Sequence, residues 1–106
     1  HIVVDECGAP VRFSGSTITP VPHVEGKLTT AAVEPFLGWQ GSEHHVQPRV
    51  LSVSQVTEMG TRYSTDELGS LADLAHAHDL LLHVDGARIA NAVAAAVATL
   101  RPVIRT

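Results

Sequence analysis

The stretch LLLHVDGAR, residues 80–88, decides the fold class, because a short apolar run ends abruptly in a carboxylate, a glycine and an arginine. An apolar run of this length is typical of a strand that is buried on both faces of a parallel sheet. Asp85 falls where that strand stops. In open α/β sheets the carboxyl ends of the strands form the ligand-binding edge, so we interpret Asp85 as a ligand contact.

Strand and helix patterns alternate along the rest of the chain. The strand patterns cover residues 2–5, 17–22, 50–56 and 80–84, and the helix patterns cover 29–37, 64–78 and 87–98. Ser64 to Glu67 reads as a capping box that opens the second of these helices. The alanine-rich third helix is apolar nearly all round, so we expect it to be buried against the sheet. Such alternation predicts parallel βαβ units and an α/β fold with flanking helices.

Composition excludes several classes of protein. The chain has 106 residues, 44% hydrophobic and 17% charged, which predicts one small globular domain. Its net charge of −4 and scattered basic residues argue against a nucleic-acid partner. No apolar run reaches membrane-spanning length, and no signal peptide is recognisable. Cys7 has no second cysteine to pair with, which suits a reducing cytoplasm, and we expect a cytoplasmic protein.

The histidines raise the question of a metal site. His76 and His78 lie two apart on a predicted helix and therefore point in different directions. His44 and His45 lie in a turn-prone polar stretch, where a solvated loop is the default. Because no zinc or iron spacing is present, we predict no metal catalysis.

Several stretches resemble, in the same order, the threonine aldolase and β-eliminating lyase family, whose members use pyridoxal phosphate on an aspartate-aminotransferase-like fold of type I. The specific piece is HVDGARIANA, residues 83–92. Weaker pieces are His1-Ile2 with Glu6, Pro22 to Leu28, Thr57-Glu58-x-Gly60, and the helix and strand from Ser64 to Asn91. Essentially the whole chain can be laid along the family's pattern.

The resemblance implies an architecture. Residues 1–106 would form the central portion of the large domain, a partial parallel sheet with strand order 2-1-3-4 in this chain's own numbering. The chain begins with His where an initiator Met would stand, so we read it as an internal fragment. The family's phosphate-binding loop would lie upstream and the Schiff-base lysine downstream. Lys27, the sole lysine, is expected to be a solvated loop residue.

The resemblance also implies roles for Asp85 and Arg88 in cofactor binding. Asp85 would lie beside the ring nitrogen of pyridoxal phosphate; from the residues alone, a helix N-cap is about equally good an interpretation. Arg88, three residues on, can return to the same edge and would contact the ring oxygen or a substrate carboxylate. The alternative for Arg88 is an ordinary surface arginine, although a cation is unfavourable on a first helical turn.

His1 matches the family's histidine that lies over the cofactor ring, so it is a predicted catalytic and cofactor-binding residue. An imidazole there could accept the proton of a substrate hydroxyl directly or through water. As a first residue, His1 could instead simply be frayed. Glu6 could orient His1 or pair with a neighbour. Thr57 and Glu58 would line the strand-end turn, with a plain turn role equally open.

The functional prediction is a fragment of a pyridoxal-phosphate-dependent lyase, most like a threonine aldolase that cleaves L-threonine or L-allo-threonine to glycine and acetaldehyde. The resemblance implies a homo-oligomeric parent, a dimer or tetramer. Alternatives are another β-eliminating lyase of the same family and a non-catalytic truncated relic. The isolated chain is expected to be inactive as an aldolase.

Overall fold

A computed structural model describes residues 2–104, with side chains described through residue 98. The elements in chain order are α1 (Ala9–Ser14), α2 (Thr30–Leu37), β1 (Val50–Ser54), α3 (Thr65–Ala77), β2 (Leu81–Asp85) and α4 (Ile89–Ile104). Within residues 2–104, no helix is both long and apolar enough to cross a membrane.

The strands β1 and β2 pair in parallel, which confirms the predicted α/β class. Their register sets Val50 opposite Leu81 and Ser54 opposite Asp85, so both strands end at the same edge. Along β1 the side chains alternate as expected for a strand, with Leu51 and Val53 buried on one face.

Helices α2 and α3 begin where their capping residues predict. The Thr29 side chain accepts a hydrogen bond from the Ala32 backbone N–H at the start of α2. Ser64 and Glu67 form the predicted capping box at the start of α3, each side chain accepting from the other's backbone N–H.

The hydrophobic core lies between these two helices and one face of the sheet. α3 packs against β2 and also contacts α2. Leu71 of α3 is the most deeply buried large side chain, with 1% of its surface exposed. The core cluster consists of Val33, Leu37, Leu51, Val53, Tyr63, Leu71, Ala75 and Leu80.

The predicted strands at residues 2–5 and 17–22 are wrong. Residues 2–5 form turns, and residues 15–23 have no regular structure. Cys7 and Gly8 both have positive φ, 52° and 73°, and they turn the chain into α1, which the sequence did not predict. The described sheet therefore has two strands, β1 and β2, and the order 2-1-3-4 is not found in it.

The physical reason is that a strand exists only where a neighbour pairs with it. Apolar, β-branched residues at 2–5 and 17–22 favour an extended backbone without supplying that neighbour. Pro20 and Pro22 donate no backbone hydrogen bond, which restricts their segment to sheet edges. Without a pairing neighbour, the turn at Cys7 and Gly8 sets the direction of the backbone into α1.

Two burial predictions also need correction. Leu81 of β2 is 68% exposed, so β2 is covered on one face and not on both. Among residues 89–98, the part of α4 whose side chains the structure describes, Ala92 alone is buried, whereas Ile89, Val93 and Val97 are each about half exposed. Both differences have one cause: among the described residues, both core-packed helices, α2 and α3, lie on the same side of the sheet.

Candidate functional site

The carboxyl ends of β1 and β2 meet at one edge, where the chain leaves both strands. The Gln55 backbone N–H, one residue beyond β1, donates to the Asp85 carbonyl at 2.9 Å. This bond extends the parallel pairing past the last residue of β1. The segments that follow the two strands therefore start side by side.

Asp85 ends β2 with a half-buried side chain. Its Oδ1 accepts a hydrogen bond from the Ala87 N–H at 3.0 Å, across the turn that leads into α4. Asp85 is not the N-cap of α4, because that helix begins at Ile89; its side chain instead closes a turn just before the helix. A carboxylate accepts several hydrogen bonds, so this contact orients the group and is compatible with ligand binding.

Arg88 reaches across to the segment after β1. Its Nε donates to the Val56 carbonyl at 3.2 Å, and its Nη2 lies 2.5 Å from Glu58 Oε1. The predicted convergence of Asp85, Arg88 and the turn around Thr57 on one sheet edge is therefore confirmed. Arg88 lies in the turn before α4 and not within the helix, because α4 begins at Ile89.

The turn at residues 57–61 is closed by several hydrogen bonds. The Thr57 N–H donates to the Thr61 carbonyl at 2.9 Å, and the Gly60 N–H donates to the Thr57 carbonyl at 3.0 Å. The hydroxyls of Thr57 and Thr61 are 2.6 Å apart, and Thr61 Oγ1 also donates to the Glu25 carbonyl at 2.5 Å. The sequence left two roles open for Thr57 and Glu58, a plain turn and a lining of the strand edge. In the structure the segment is an ordered turn that also lies at this edge.

Gln55 is a buried polar residue that sequence reasoning missed. Its side-chain amide pairs with the backbone of Tyr63, whose hydroxyl accepts from the Leu28 N–H at 2.7 Å. Burial raises the pKa of the Tyr63 hydroxyl, and this outweighs the lowering effect of the Leu28 hydrogen bond. The sequence did offer one sign of this role: Gln55 is an uncharged polar residue directly after a strand of alternating buried residues.

A cavity of about 530 Å³ opens beside this edge. Glu58 and Arg88 line it, as do Arg62 and Asn91, two residues that the sequence analysis did not single out. The Asn91 backbone N–H donates to the Arg88 carbonyl at 3.0 Å, which keeps the two residues adjacent at the start of α4. Two arginines and one glutamate give this cavity a positive balance of formal charge.

The other predicted residues lie elsewhere. His1 lies outside the described residues, and Glu6 is exposed in the turn before α1. Lys27 is in a loop as predicted, but it is not simply solvated: its Nζ lies 2.6 Å from Glu67 Oε1. The hydrogen bond from Lys27 holds the pKa of the Glu67 carboxyl below its usual range. Among residues 2–104 the structure contains no cluster of three or more metal-ligating side chains.

Comparison with known proteins shows which family the chain belongs to. A sequence model of the beta-eliminating lyases matches residues 1–106. The chain belongs to the beta-eliminating lyase family. Within it, the chain is 41% identical over 95 residues to a low specificity L-threonine aldolase of Pseudomonas aeruginosa, which covers 89% of the chain. It is 40% identical over 95 residues, again 89% of the chain, to a low specificity L-threonine aldolase of a Pseudomonas species.

A solved structure from the same group of proteins shares the fold. The threonine aldolase of Leishmania major superposes with a TM-score of 0.78 and 38% identity over 85% of this chain. The chain spans 28% of the length of each of the two Pseudomonas relatives and 26% of the Leishmania chain. This beta-eliminating lyase sequence thus corresponds to about a quarter of each relative.

Proposed function

We propose that these residues form part of the cofactor-binding edge of a pyridoxal-phosphate-dependent lyase of the threonine aldolase type. The observation that carries the proposal is the meeting of Asp85 and Arg88 at one carboxyl edge of a parallel sheet. Similarity to the Pseudomonas threonine aldolases supports the reaction: cleavage of L-threonine or L-allo-threonine to glycine and acetaldehyde.

The side chains at this edge fit the cofactor chemically. Asp85 supplies a half-buried anion for a protonated ring nitrogen. Arg88 supplies a planar cation with several donors for the phenolic oxygen or for a substrate carboxylate. Arg88, but not Asp85, also lines the adjoining cavity of about 530 Å³, which falls within the usual size of small-molecule sites.

The chemistry divides between cofactor and protein. Pyridoxal phosphate, when bound, supplies an electron sink for the carbon–carbon bond that breaks. Asp85 would keep the proton on the ring nitrogen through charge attraction in a partly desolvated setting. Arg88 would donate hydrogen bonds to the phenolic oxygen. His1 would accept the proton of the substrate hydroxyl, directly or through water.

The setting of this site is also part of the proposal. Residues 1–106 would form the central portion of the large domain of the complete protein, in which β1 and β2 belong to a larger parallel sheet. The complete protein would be a cytoplasmic homo-oligomer, a dimer or tetramer. Size-exclusion chromatography coupled to light scattering tests the oligomer directly.

The 106-residue polypeptide by itself would be inactive. Its sole lysine, Lys27, has its Nζ in an ion pair with Glu67 and does not line the cavity beside Arg88, so it is not placed for covalent attachment of the cofactor. Incubation with pyridoxal phosphate, borohydride reduction and mass spectrometry should find no stoichiometric adduct at Lys27. Cofactor-dependent threonine cleavage that is lost in Lys27→Met would contradict this expectation.

The activity is tested on the complete gene product. The purified protein, loaded with pyridoxal phosphate, should release acetaldehyde from L-threonine and from L-allo-threonine, measured by a coupled alcohol dehydrogenase assay. Cofactor binding without acetaldehyde, but with release of a keto acid from an amino acid that bears a β-leaving group, would assign another β-elimination instead. Failure to bind the cofactor would rule out both activities and leave the truncated relic.

A further inference from the structure

Arg88 is anchored at two points of its guanidinium group. Nε donates to the Val56 carbonyl at 3.2 Å, and Nη2 contacts Glu58 Oε1 at 2.5 Å. Because the guanidinium is planar and rigid, two anchors define both its position and the plane in which its remaining donors lie. Val56 supplies only a backbone atom, so Glu58 is the anchor that depends on a side chain.

The backbone around Glu58 is itself held in place. Thr57, the preceding residue, is 4% exposed, and its N–H, carbonyl and hydroxyl are all hydrogen-bonded within the turn at residues 57–61. Gly26 lies so close that a Cβ there would be 2.7 Å from Thr57 Oγ1. The Glu58 carboxylate is therefore presented to Arg88 from a closely packed turn.

Charge in the cavity gives Glu58 a second role. Of the described residues that line it, Glu58 is the only acid, and Arg62 and Arg88 are the bases. Without Glu58, the two guanidinium groups would face a common space with no carboxylate between them. Of its two anchors, Arg88 would then keep only the Val56 carbonyl, and its side chain, which is 38% exposed, could turn toward solvent.

We propose that Glu58 is a positioning residue for Arg88: it holds the guanidinium in the plane from which the remaining donors meet the phenolic oxygen of the cofactor. This inference rests on the proposed function of the edge. It differs from a role in stability, because partly exposed charge pairs contribute little to the free energy of folding. Loss of Glu58 should therefore affect cofactor binding more than folding.

The test uses the complete protein with three single variants. Glu58→Ala removes the anchor, and Glu58→Gln keeps an acceptor oxygen without the charge. Glu67→Gln is the matched control, because it breaks another glutamate ion pair, with Lys27 at 2.6 Å, and neither of these two residues lines the cavity. Measured quantities are the dissociation constant of pyridoxal phosphate, the visible absorbance maximum of the bound cofactor, and the midpoint of thermal unfolding.

Glu58→Ala should weaken cofactor binding about 5-fold, the factor that corresponds to a partly exposed charge pair at the upper end of its usual strength. It should also move the absorbance maximum, which reports the ionisation of the phenolic oxygen beside Arg88. Glu58→Gln should show a smaller change in the same direction. Glu67→Gln should leave both cofactor readouts unchanged even if it lowers the unfolding midpoint.

A double-mutant cycle decides whether Glu58 acts through Arg88. In an Arg88→Gln background, Glu58→Ala should have no further effect on cofactor affinity or absorbance. An equal effect in both backgrounds, or wild-type affinity and absorbance in Glu58→Ala, would overturn the inference while leaving cofactor binding by the wild type intact. If the wild type itself binds no cofactor, the proposed function fails instead.

Discussion

The side-chain amide of Gln55 pairs with both backbone groups of Tyr63. Nε2 donates to the Tyr63 carbonyl at 2.8 Å, and Oε1 accepts from the Tyr63 N–H at 2.9 Å. The amide thus takes the place of a neighbouring strand for Tyr63, while the Gln55 backbone N–H pairs with Asp85. Gln55 therefore connects the end of β2, where Asp85 lies, to Tyr63, which directly precedes the capping residue of α3.

Gln55→Ala should destabilise the protein strongly, because it leaves two buried backbone groups of Tyr63 without partners. We expect the free energy of unfolding to fall by about 2–4 kcal/mol, measured by urea denaturation. The control is Gln40→Ala, whose amide donates to the His78 carbonyl at 2.6 Å in an exposed setting. Its cost should be about 1 kcal/mol or less. Equal costs for the two variants would show that the Gln55 bonds do not support the fold.

Gly26→Ala tests the close approach of two loops. Gly26 has a φ of 82°, and an added Cβ would lie 2.7 Å from Thr57 Oγ1. Gly41→Ala is matched for the backbone: φ is 79° and nothing lies within 4 Å of an added Cβ. The left-handed conformation should cost about 1–2 kcal/mol in both variants. The steric term should add about 1 kcal/mol or more to Gly26→Ala alone, in thermal or urea unfolding. Identical losses of stability in Gly26→Ala and Gly41→Ala would mean that the loop at Gly26 can move away from Thr57 at no cost in free energy.

Asp85→Asn separates the turn role of Asp85 from cofactor binding. Asparagine keeps a side-chain oxygen that can accept from the Ala87 N–H, so the free energy of unfolding should change by less than about 0.5 kcal/mol. The negative charge beside the ring nitrogen is lost, so cofactor-dependent turnover in the complete protein should be abolished.

Asp85→Ala serves as the companion variant, because it should lose both turnover and the turn's hydrogen bond. Stability should then fall by about 1 kcal/mol relative to the wild type. An Asn variant with wild-type kcat/KM would leave Asp85 with its turn role alone.

The Lys27–Glu67 pair predicts a specific pH dependence of stability. The folded-state pKa of Glu67 is lowered, mainly by the hydrogen bond from Lys27, so ionised Glu67 favours the folded protein. This contribution is complete above the unfolded-state pKa of about 4.3 and is lost as the pH falls through the lower folded-state pKa. The wild type should therefore exceed Glu67→Gln in stability at pH 7, and the difference should shrink as the pH is lowered below that range.

Urea denaturation of both proteins at several pH values measures this difference. It should be small, because both side chains are partly exposed and solvent screens their attraction. A gap between the two proteins that is the same at every pH would mean that the Glu67 charge contributes nothing to stability.

Sequence reasoning succeeded where local patterns and tertiary needs agree. The apolar runs at β1 and β2, the capping box at Ser64 and the strand-end position of Asp85 all follow from nearest neighbours in the chain. Convergence of Asp85 and Arg88 with the turn at residues 57–61 was predictable too, because parallel strands place their carboxyl ends together.

Other features were decided only by the tertiary structure. Whether residues 2–5 become a strand depends on a pairing neighbour, and here the positive φ of Cys7 and Gly8 takes the chain into α1 instead. The pairing of Glu58 with Arg88 joins residues thirty positions apart in the chain, so no local pattern could predict it. In physical terms, sequence alone determined which segments can extend, coil or cap, since those preferences act over a few residues. Tertiary contacts decided which strands pair, which faces are covered and which charge each arginine meets, because those free energies arise only between distant segments.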